Sequence, residues 1–334
     1  MYNENDYLYA GARLRAYDAK NASKISTDKL IEAKSYNEAL DMLTESEQTD
    51  TVIINYEDYF EKRLEEAYNI CGEFAPVKSP VSILRLPYDC HNIKSAIKCD
   101  ALGISASDLY FKTGNVSPAE INLAIKNRDF RCLQTNMCAA SGEAVESLAK
   151  TGDPQNVDIL IDKACFDDML SGAESFGSKF MIDYVKTKID VYNITSFIRC
   201  SKMNKSFIFL DLILSDKGYI EKCVFNDRYS KKGENEDGNT SASKLFELLS
   251  MTQYSSLFSK YNAESFSSLS FAEVERIFDF FFAGKINSLK YIPFGPEVII
   301  EYILNREREI KNMRLVFAGK RVSLSNDEIR LNLR

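Results

Sequence analysis

A ten-residue pattern occurs three times in the chain, at intervals of 101 and 119 residues. The copies are D-C-H-N-I-K-S-A-I-K from Asp89, D-V-Y-N-I-T-S-F-I-R from Asp190 and E-I-K-N-M-R-L-V-F-A from Glu309. In each copy an asparagine stands three positions after the acid, and apolar residues stand one, four and eight positions after it. Repetition at this period predicts a fold built from similar units.

The spacing within each copy predicts the conformation of that unit. Offsets of one, four and eight lie on one stripe of an α-helix, and the acid and asparagine are neighbours on the adjoining face. We expect the polar pair to bind the end of a neighbouring helix or loop, since burying either group unpaired would cost about 1–3 kcal/mol. The residues assigned to this structural motif are Asp89, Asn92, Asp190, Asn193, Glu309 and Asn312.

Composition and helix-start signals favour an all-α fold. Only 7 prolines and 14 glycines occur in 334 residues, too few for a turn-rich β architecture. Capping boxes at Ser35 and Ser270 predict helices that run to about Ser46 and Phe282. A similar helix is expected to begin at Ser141. With the repeat, this predicts three similar helical domains, 1–114, 115–216 and 217–334.

Other segments carry local predictions. The stretches 112–118 and 231–243 are polar and contain glycine, so both are expected to be loops, with Pro118 in the first turn of a new helix. The adjacent acids Asp167 and Asp168 are interpreted as a solvated helix face. The run Phe280–Phe282 is interpreted as core, with a partner-binding patch as the alternative.

Net charge and hydropathy limit the kinds of partner that are expected for this chain. The formal net charge is −7, and lysines and arginines alternate with acids, so nucleic acid is not an expected partner. No apolar run approaches the roughly 20 residues of a membrane span, and the first residues do not resemble a secretory signal. We expect a cytoplasmic protein without direct membrane insertion. Its eight cysteines, with no C-x-x-C spacing, are expected to be reduced and mostly buried.

The sequence predicts no catalytic, cofactor-binding or metal site. The single histidine, His91, stands between Cys90 and Asn92, and adjacent helical residues point about 100° apart, so they cannot act as a nucleophile and base. A zinc site would need further ligands at suitable spacing. Phosphate-binding glycine motifs are also missing from the sequence. We therefore expect no cofactor and no small-molecule substrate.

Three blocks carry a resemblance to a known family. The block P-Y-D-C-H-N-I-K-S-A-I-K from Pro87 resembles the D-x-x-N-[IL]-K signature of the C subunits (d in eukaryotes) of V-type and A-type ATPases. The block from Tyr291 to Lys320, with F-G-P-E and E-I-x-N-x-R, is similar to that family's C-terminal signature. The opening Y-A-G-A-R-L-R-A from Tyr9 resembles its N-terminal helix.

The resemblance implies three pseudo-equivalent helical domains arranged as a funnel around a central cavity. It further implies a non-catalytic central-stalk subunit that connects the central shaft subunits to the membrane rotor ring and transmits torque, peripheral to the membrane. The six motif residues would then be domain framework. Two alternatives remain open at this point: an unrelated helical-repeat scaffold, and a helical enzyme with an unrecognised site.

Overall fold

A computed structural model describes residues 3–21, 26–46, 53, 55–229 and 238–334, and all regular secondary structure in these ranges is helical. The all-α prediction is confirmed. The α-helices are α1 (Leu8–Asn21), α2 (Thr27–Glu32), α3 (Tyr36–Ser46), α4 (Tyr56–Phe74), α5 (Ser79–Leu102), α6 (Pro118–Asn127), α7 (Thr135–Thr151), α8 (Pro154–Phe176), α9 (Lys179–Lys202), α10 (Phe207–Ile213), α11 (Lys222–Asn226), α12 (Gly238–Ser250), α13 (Ser255–Phe258), α14 (Ala263–Ser268), α15 (Phe271–Leu289), α16 (Glu297–Arg321) and α17 (Asn326–Asn332). Short 3₁₀ helices cover Glu4–Tyr7 and Ser107–Leu109.

Two predicted helix starts are confirmed. At α15, the Glu273 amide donates to Ser270 Oγ at 3.3 Å and the Ser270 amide donates to the Glu273 carboxylate at 2.8 Å. At α3, the Glu38 amide donates to Ser35 Oγ at 3.1 Å, but the Glu38 carboxylate accepts from the amide of Lys34. These side chains satisfy amides that a helix leaves unpaired at its first turn. Pro118 is the first residue of α6, as expected.

The predicted start at Ser141 is wrong, because α7 begins at Thr135. Ser141 lies inside that helix and its hydroxyl donates to the Met137 carbonyl at 2.7 Å. The helix is capped by Asp168 of α8, whose carboxylate accepts from the amides of Asn136 at 3.0 Å and Met137 at 2.9 Å. Asp168 is therefore buried rather than solvated, which corrects its interpretation as part of an exposed helix face.

The predicted loop 231–243 is partly wrong. Residues 231–237 lie outside the described residues, whereas 238–243 form the beginning of α12. The small side chains of Ser241 and Ala242 are buried, and Leu245 follows them in the core. Helix formation here is driven by tertiary packing, which overrides the polar local composition.

The chain divides into two compact units. The first contains Met1–Asp89, Tyr110–Ser117 and Ala283–Arg334, and the second contains Cys90–Leu109 and Pro118–Phe282. The division into three domains at 114 and 216, which rests on the sequence period, stays a prediction.

The first unit is organised around α16, which packs against α1, α2, α3, α4 and α17. Its core includes an aromatic cluster in which Phe317 of α16 stacks on Tyr56, with ring centroids 4.7 Å apart, and meets the edges of Tyr36 and Phe60. Aromatic side chains bury large apolar areas, so this cluster joins α3, α4 and α16 into one core.

In the second unit, α8 packs between α7 and α9, and α9 also contacts α10 and α12. Its core holds Tyr254, Phe258 and Phe278, whose rings meet edge to face. The core interpretation of Phe280–Phe282 is wrong for Phe280, which is 58% exposed, because it lies on the face of α15 opposite Phe278.

The three repeat copies lie on the long helices α5, α9 and α16, of 24, 24 and 25 residues. Eight of the nine predicted stripe residues are buried and Val191 is half-buried. The buried members are Cys90, Ile93, Ile97, Ile194, Ile198, Ile310, Met313 and Phe317. The prediction of a helix with a buried apolar stripe in each copy is thus confirmed.

Five of the eight cysteines are buried, as expected for small core residues; Cys138 is half-buried, and Cys132 and Cys223 are exposed. None of the helices in the described ranges combines the length and apolar character required to cross a bilayer.

Candidate functional site

The acid of the first motif copy binds the loop at 112–117. Asp89 is buried on α5, and its carboxylate accepts from the Val116 amide at 3.1 Å and from Asn115 Nδ2 at 2.8 Å. A methyl group on Gly114 would lie 2.4 Å from Asp89 Oδ1. The loop can approach this closely because residue 114 has no side chain.

The surroundings of Asp89 have opposing effects on its carboxyl group, and its pKa lies above the ordinary value because burial outweighs the other effects. Burial raises the pKa of Asp89, whereas the hydrogen bonds from Val116 and Asn115 and the Arg85 guanidinium lower it. Arg85 also donates to the Thr113 carbonyl at 2.9 Å. The carboxylate and the guanidinium therefore bind amides and carbonyls of the same loop, so that both types of backbone group are satisfied there.

The acid of the second copy has a similar setting. Asp190 is fully buried on α9 and accepts from the Ile220 amide at 3.0 Å and from the Tyr254 hydroxyl at 2.7 Å. Burial raises the pKa of Asp190 to about 6, although these hydrogen bonds and Lys186 lower it. A methyl group on Gly218 would lie 2.1 Å from Asp190 Oδ1, so this loop also uses a glycine for close approach.

The asparagines of the second and third copies form matching pairs of hydrogen bonds with backbone. Asn193 Nδ2 donates to the Ser215 carbonyl at 2.8 Å, and the Ser215 amide donates to Asn193 Oδ1 at 2.9 Å. Asn312 Nδ2 donates to the Arg334 carbonyl at 2.7 Å, and the Arg334 amide donates to Asn312 Oδ1 at 2.8 Å. In both copies the bound residue lies 22 positions after the asparagine. The side chain of each asparagine thus donates one hydrogen bond to the bound residue and accepts one from the same residue.

The three asparagines occupy corresponding positions. Asn92, Asn193 and Asn312 are the fourteenth, fifteenth and sixteenth residues of their helices. Asn92 and Asn193 are fully buried, and Asn312 is half-buried. In the first two copies the polar pair therefore lies inside the core, deeper than the edge position that the helical stripe indicated.

The acid of the third copy differs from the other two. Glu309 is half-buried and forms an ion pair with the Arg306 guanidinium, which also binds Asp18. Burial lowers the pKa of Arg306, but coulombic attraction to Glu309 and Asp18 contributes to a net rise, so the guanidinium stays charged. The third acid thus orients an arginine side chain.

The groups around the single histidine are not arranged as a reactive centre. His91 Nε2 lies 2.9 Å from the Leu109 carbonyl oxygen. The Cys90 thiol donates to Asp162 Oδ1 at 3.2 Å, and its contact with Cys165, followed by burial, raises its pKa. A thiol with a raised pKa stays protonated and is a poor nucleophile. No group of three or more His, Cys, Asp or Glu side chains in the described ranges is arranged to hold a metal ion.

Two buried polar clusters were not predicted. Tyr68 and Tyr88 both donate to Glu307 Oε1 at 2.6 Å, which ties α4 and α5 to α16 within the first unit. Lys320 is buried and donates to the carbonyls of Ile31 and Ala33 at the end of α2. Lysine at a helix C-terminus stabilises unpaired carbonyls. The partners lie more than 200 residues apart in sequence, so no local pattern could have indicated them.

The fold and the motif define an all-α framework protein in which buried carboxylate and carboxamide groups bind backbone segments to long helices. The family model of the ATP synthase (C/AC39) subunit matches residues 10–331. The chain therefore belongs to the ATP synthase (C/AC39) subunit family.

Curated relatives align with the chain over nearly its full length. The C subunit of the V-type sodium ATPase of Enterococcus hirae is 22% identical, with 98% of each chain covered. The C subunit of the A-type ATP synthase of Methanocaldococcus jannaschii is 24% identical, with 97% of this chain and 85% of the relative covered. That of Methanosphaera stadtmanae is 22% identical, with 97% and 86% covered. Family membership removes the alternative of an unrelated helical scaffold.

Proposed function

We propose that this chain is the non-catalytic central-stalk subunit of a V/A-type rotary ATPase or ATP synthase, and that it connects the central shaft subunits to the membrane rotor ring. The observation that carries the proposal is the family match over residues 10–331. The similar relatives, named as the C subunits of V-type and A-type enzymes, support it because they align over 97–98% of this chain.

Transmission of torque requires a body that deforms little under load. Close-packed helices provide such a body, because protein interiors have low compressibility. We call the paired hydrogen bonds that Asn193 and Asn312 each form with one backbone residue clamps. The clamps add directional bonds between long helices and the segments that follow them. We propose that the six motif residues are framework groups of three pseudo-equivalent domains arranged around a central cavity.

The environment of the polar groups supports a mechanical role. The Asp89 and Asp190 carboxylates accept backbone amides, and the buried Cys90 thiol has a raised pKa. Groups held in this way have little capacity to bind or activate a substrate. In the proposed function the chain lies in the cytoplasm, peripheral to the membrane, and binds other ATPase subunits rather than nucleic acid or a small molecule.

The test is purification of the affinity-tagged full-length chain from its own cells, with the untagged strain as control. The shaft and rotor-ring subunits should copurify, and the purified chain alone should not hydrolyse ATP. In membrane vesicles, depletion of the chain should abolish ATP-driven ion uptake, and adding it back should restore uptake. ATP hydrolysis by the chain alone, or recovery without any other ATPase subunit, would contradict the proposal.

A further inference from the structure

A group of exposed apolar side chains lies in the first unit. It comprises Leu8 of α1 with Tyr291, Ile292 and Phe294 of the loop before α16, and we call it the Tyr291 surface. Tyr291 is 89% exposed and Phe294 is 43% exposed. Single exposed apolar residues are common, but adjacent exposed aromatic residues mark interaction surfaces.

The first turn of α1 packs beside the loop that carries Tyr291. A methyl group on Gly11 would lie 3.4 Å from Val298 Cγ1 and 3.9 Å from the Pro293 carbonyl oxygen. The first turn of α1 and the loop 291–294 therefore lie side by side.

Local bonds and prolines hold the loop in one conformation. The Ile292 amide donates to the Leu289 carbonyl at 2.9 Å, and the Ile299 amide donates to the Pro296 carbonyl at 3.0 Å. Pro293 and Pro296 restrict the backbone on either side of Gly295, which has a φ of +98°. A surface that is already ordered loses less conformational entropy when it binds.

Two acidic side chains border this surface. A methyl group on Gly295 would lie 2.5 Å from Glu297 Oε2 and 3.8 Å from Glu4 Cγ, so both side chains meet at this glycine. Burial raises the pKa of Glu297 and the Glu4 charge raises it further, whereas the Glu297 backbone amide lowers it. Within the described ranges, neither carboxylate forms an ion pair with a lysine or arginine. Among the described residues, this edge of the surface is therefore acidic.

We propose that the Tyr291 surface docks a segment of another ATPase subunit that carries a lysine or arginine flanked by apolar residues. The inference rests on the proposed function and names the chemistry of one partner contact. Tyrosine is enriched among the few residues that carry most of the binding energy at protein interfaces, and Glu4 and Glu297 supply charge complementarity for the basic residue.

Two other occupants fit this chemistry less well. An anionic membrane surface attracts basic segments and would repel Glu4 and Glu297. A second copy of this chain, docked through the same surface, would bring together two chains that each have a net charge of −7. The basic partner segment is the occupant that satisfies both the apolar and the acidic groups.

The first experiment is photo-crosslinking from p-benzoylphenylalanine at position 291 of the tagged chain in its own cells, with the exposed position 251 as control. The adduct from position 291 should map to a segment of an ATPase subunit with Lys or Arg between apolar residues. An adduct to lipid, to a second copy of the chain or to an acidic segment would overturn the inference.

The second experiment compares recovery of ATPase subunits with substituted chains. Tyr291→Ser combined with Phe294→Ser should reduce copurified subunits at least about tenfold. The matched control is Ile208→Ser with Met251→Ser, both highly exposed in the second unit, and should recover them as wild type does. Glu4→Lys should also reduce recovery, and Glu264→Lys, in the first turn of another short helix, should not.

The experiments distinguish a failure of the docking inference from a failure of the proposed function. If wild type recovers the ATPase subunits and the double serine variant recovers them equally, the docking surface is wrong and the proposed function stands. If wild type recovers no ATPase subunit, the proposed function is wrong and the docking inference is wrong with it. Circular dichroism of each variant excludes misfolding as the cause of a loss.

Discussion

Asp190 is a carboxylate withdrawn from water inside the second unit, and burial raises its pKa to about 6 against an ordinary value of 3.8. Between these two pH values the folded chain binds more protons at this residue than the unfolded chain does. The contribution of Asp190 to the free energy of unfolding must therefore decrease as pH rises from about 4 to about 6.

Asp190→Asn is expected to remove this contribution. The wild type minus variant difference in the free energy of unfolding should fall by about 2 kcal/mol as pH rises from 4 to 6. Urea denaturation at several pH values, at low protein concentration, measures it. The exposed Asp41→Asn variant is the control. A difference that stays constant across this range would contradict the assignment.

Removing the clamp asparagines should have unequal effects. Asn193→Ala leaves the buried amide and carbonyl of Ser215 unpaired and should lower the free energy of unfolding by about 2–4 kcal/mol. Asn312→Ala should lower the free energy of unfolding by only about 1 kcal/mol, because water can reach the half-buried site and bind the groups left unpaired. Urea denaturation midpoints compare them, with the exposed Asn37→Ala as control. Equal losses would show that burial does not control the strength of the clamp.

At the scale of elements, two of the long helices, α5 and α9, contact the loops that follow them at a glycine of each loop. Gly114 and Gly218 both lie against a motif carboxylate, at distances that leave no room for a Cβ atom. The carboxylates cannot move away freely, because Asp89 binds Val116 and Asp190 binds Ile220. Loop position and helix position are therefore coupled through these contacts.

Gly218→Ala should lower the free energy of unfolding by about 1–3 kcal/mol, because the new methyl group displaces the Asp190 carboxylate. The matched control is Gly284→Ala in α15, where no packing atom would lie within 4 Å of the new methyl group. This variant should raise the free energy of unfolding by about 0.5–1 kcal/mol. Thermal denaturation monitored by circular dichroism measures both changes. In an Asp190→Ala background the cost of Gly218→Ala should decrease, and an unchanged cost would rule out the proposed contact.

At the scale of the whole molecule, the excess of acids governs how copies of the chain interact in solution. The formal net charge is −7 at pH 7, and the isoelectric point is near 5.1. Repulsion between copies weakens as net charge approaches zero. Light scattering of the purified chain should therefore show greatest self-association near pH 5.

The control for this prediction is a charge-shifted chain. Replacing the exposed Lys62 and Lys126 by glutamate makes the net charge more negative by four, two at each site, and should move the scattering maximum to lower pH. A maximum that does not move would show that a local surface, rather than net charge, controls association.

Much of the helical framework could be predicted from short-range patterns. The stripes on α5, α9 and α16, the capped starts of α3 and α15 and the family resemblance depend on residues a few positions apart, and spacing alone specifies which helix face they share. The tertiary structure decided which groups the motif binds, such as Tyr254 for Asp190, and which residues are buried without a local signal, such as Asp168 and Lys320. Those contacts join residues from 32 to 289 positions apart, and the free energy of burying a polar group depends on the partner that packing brings to it.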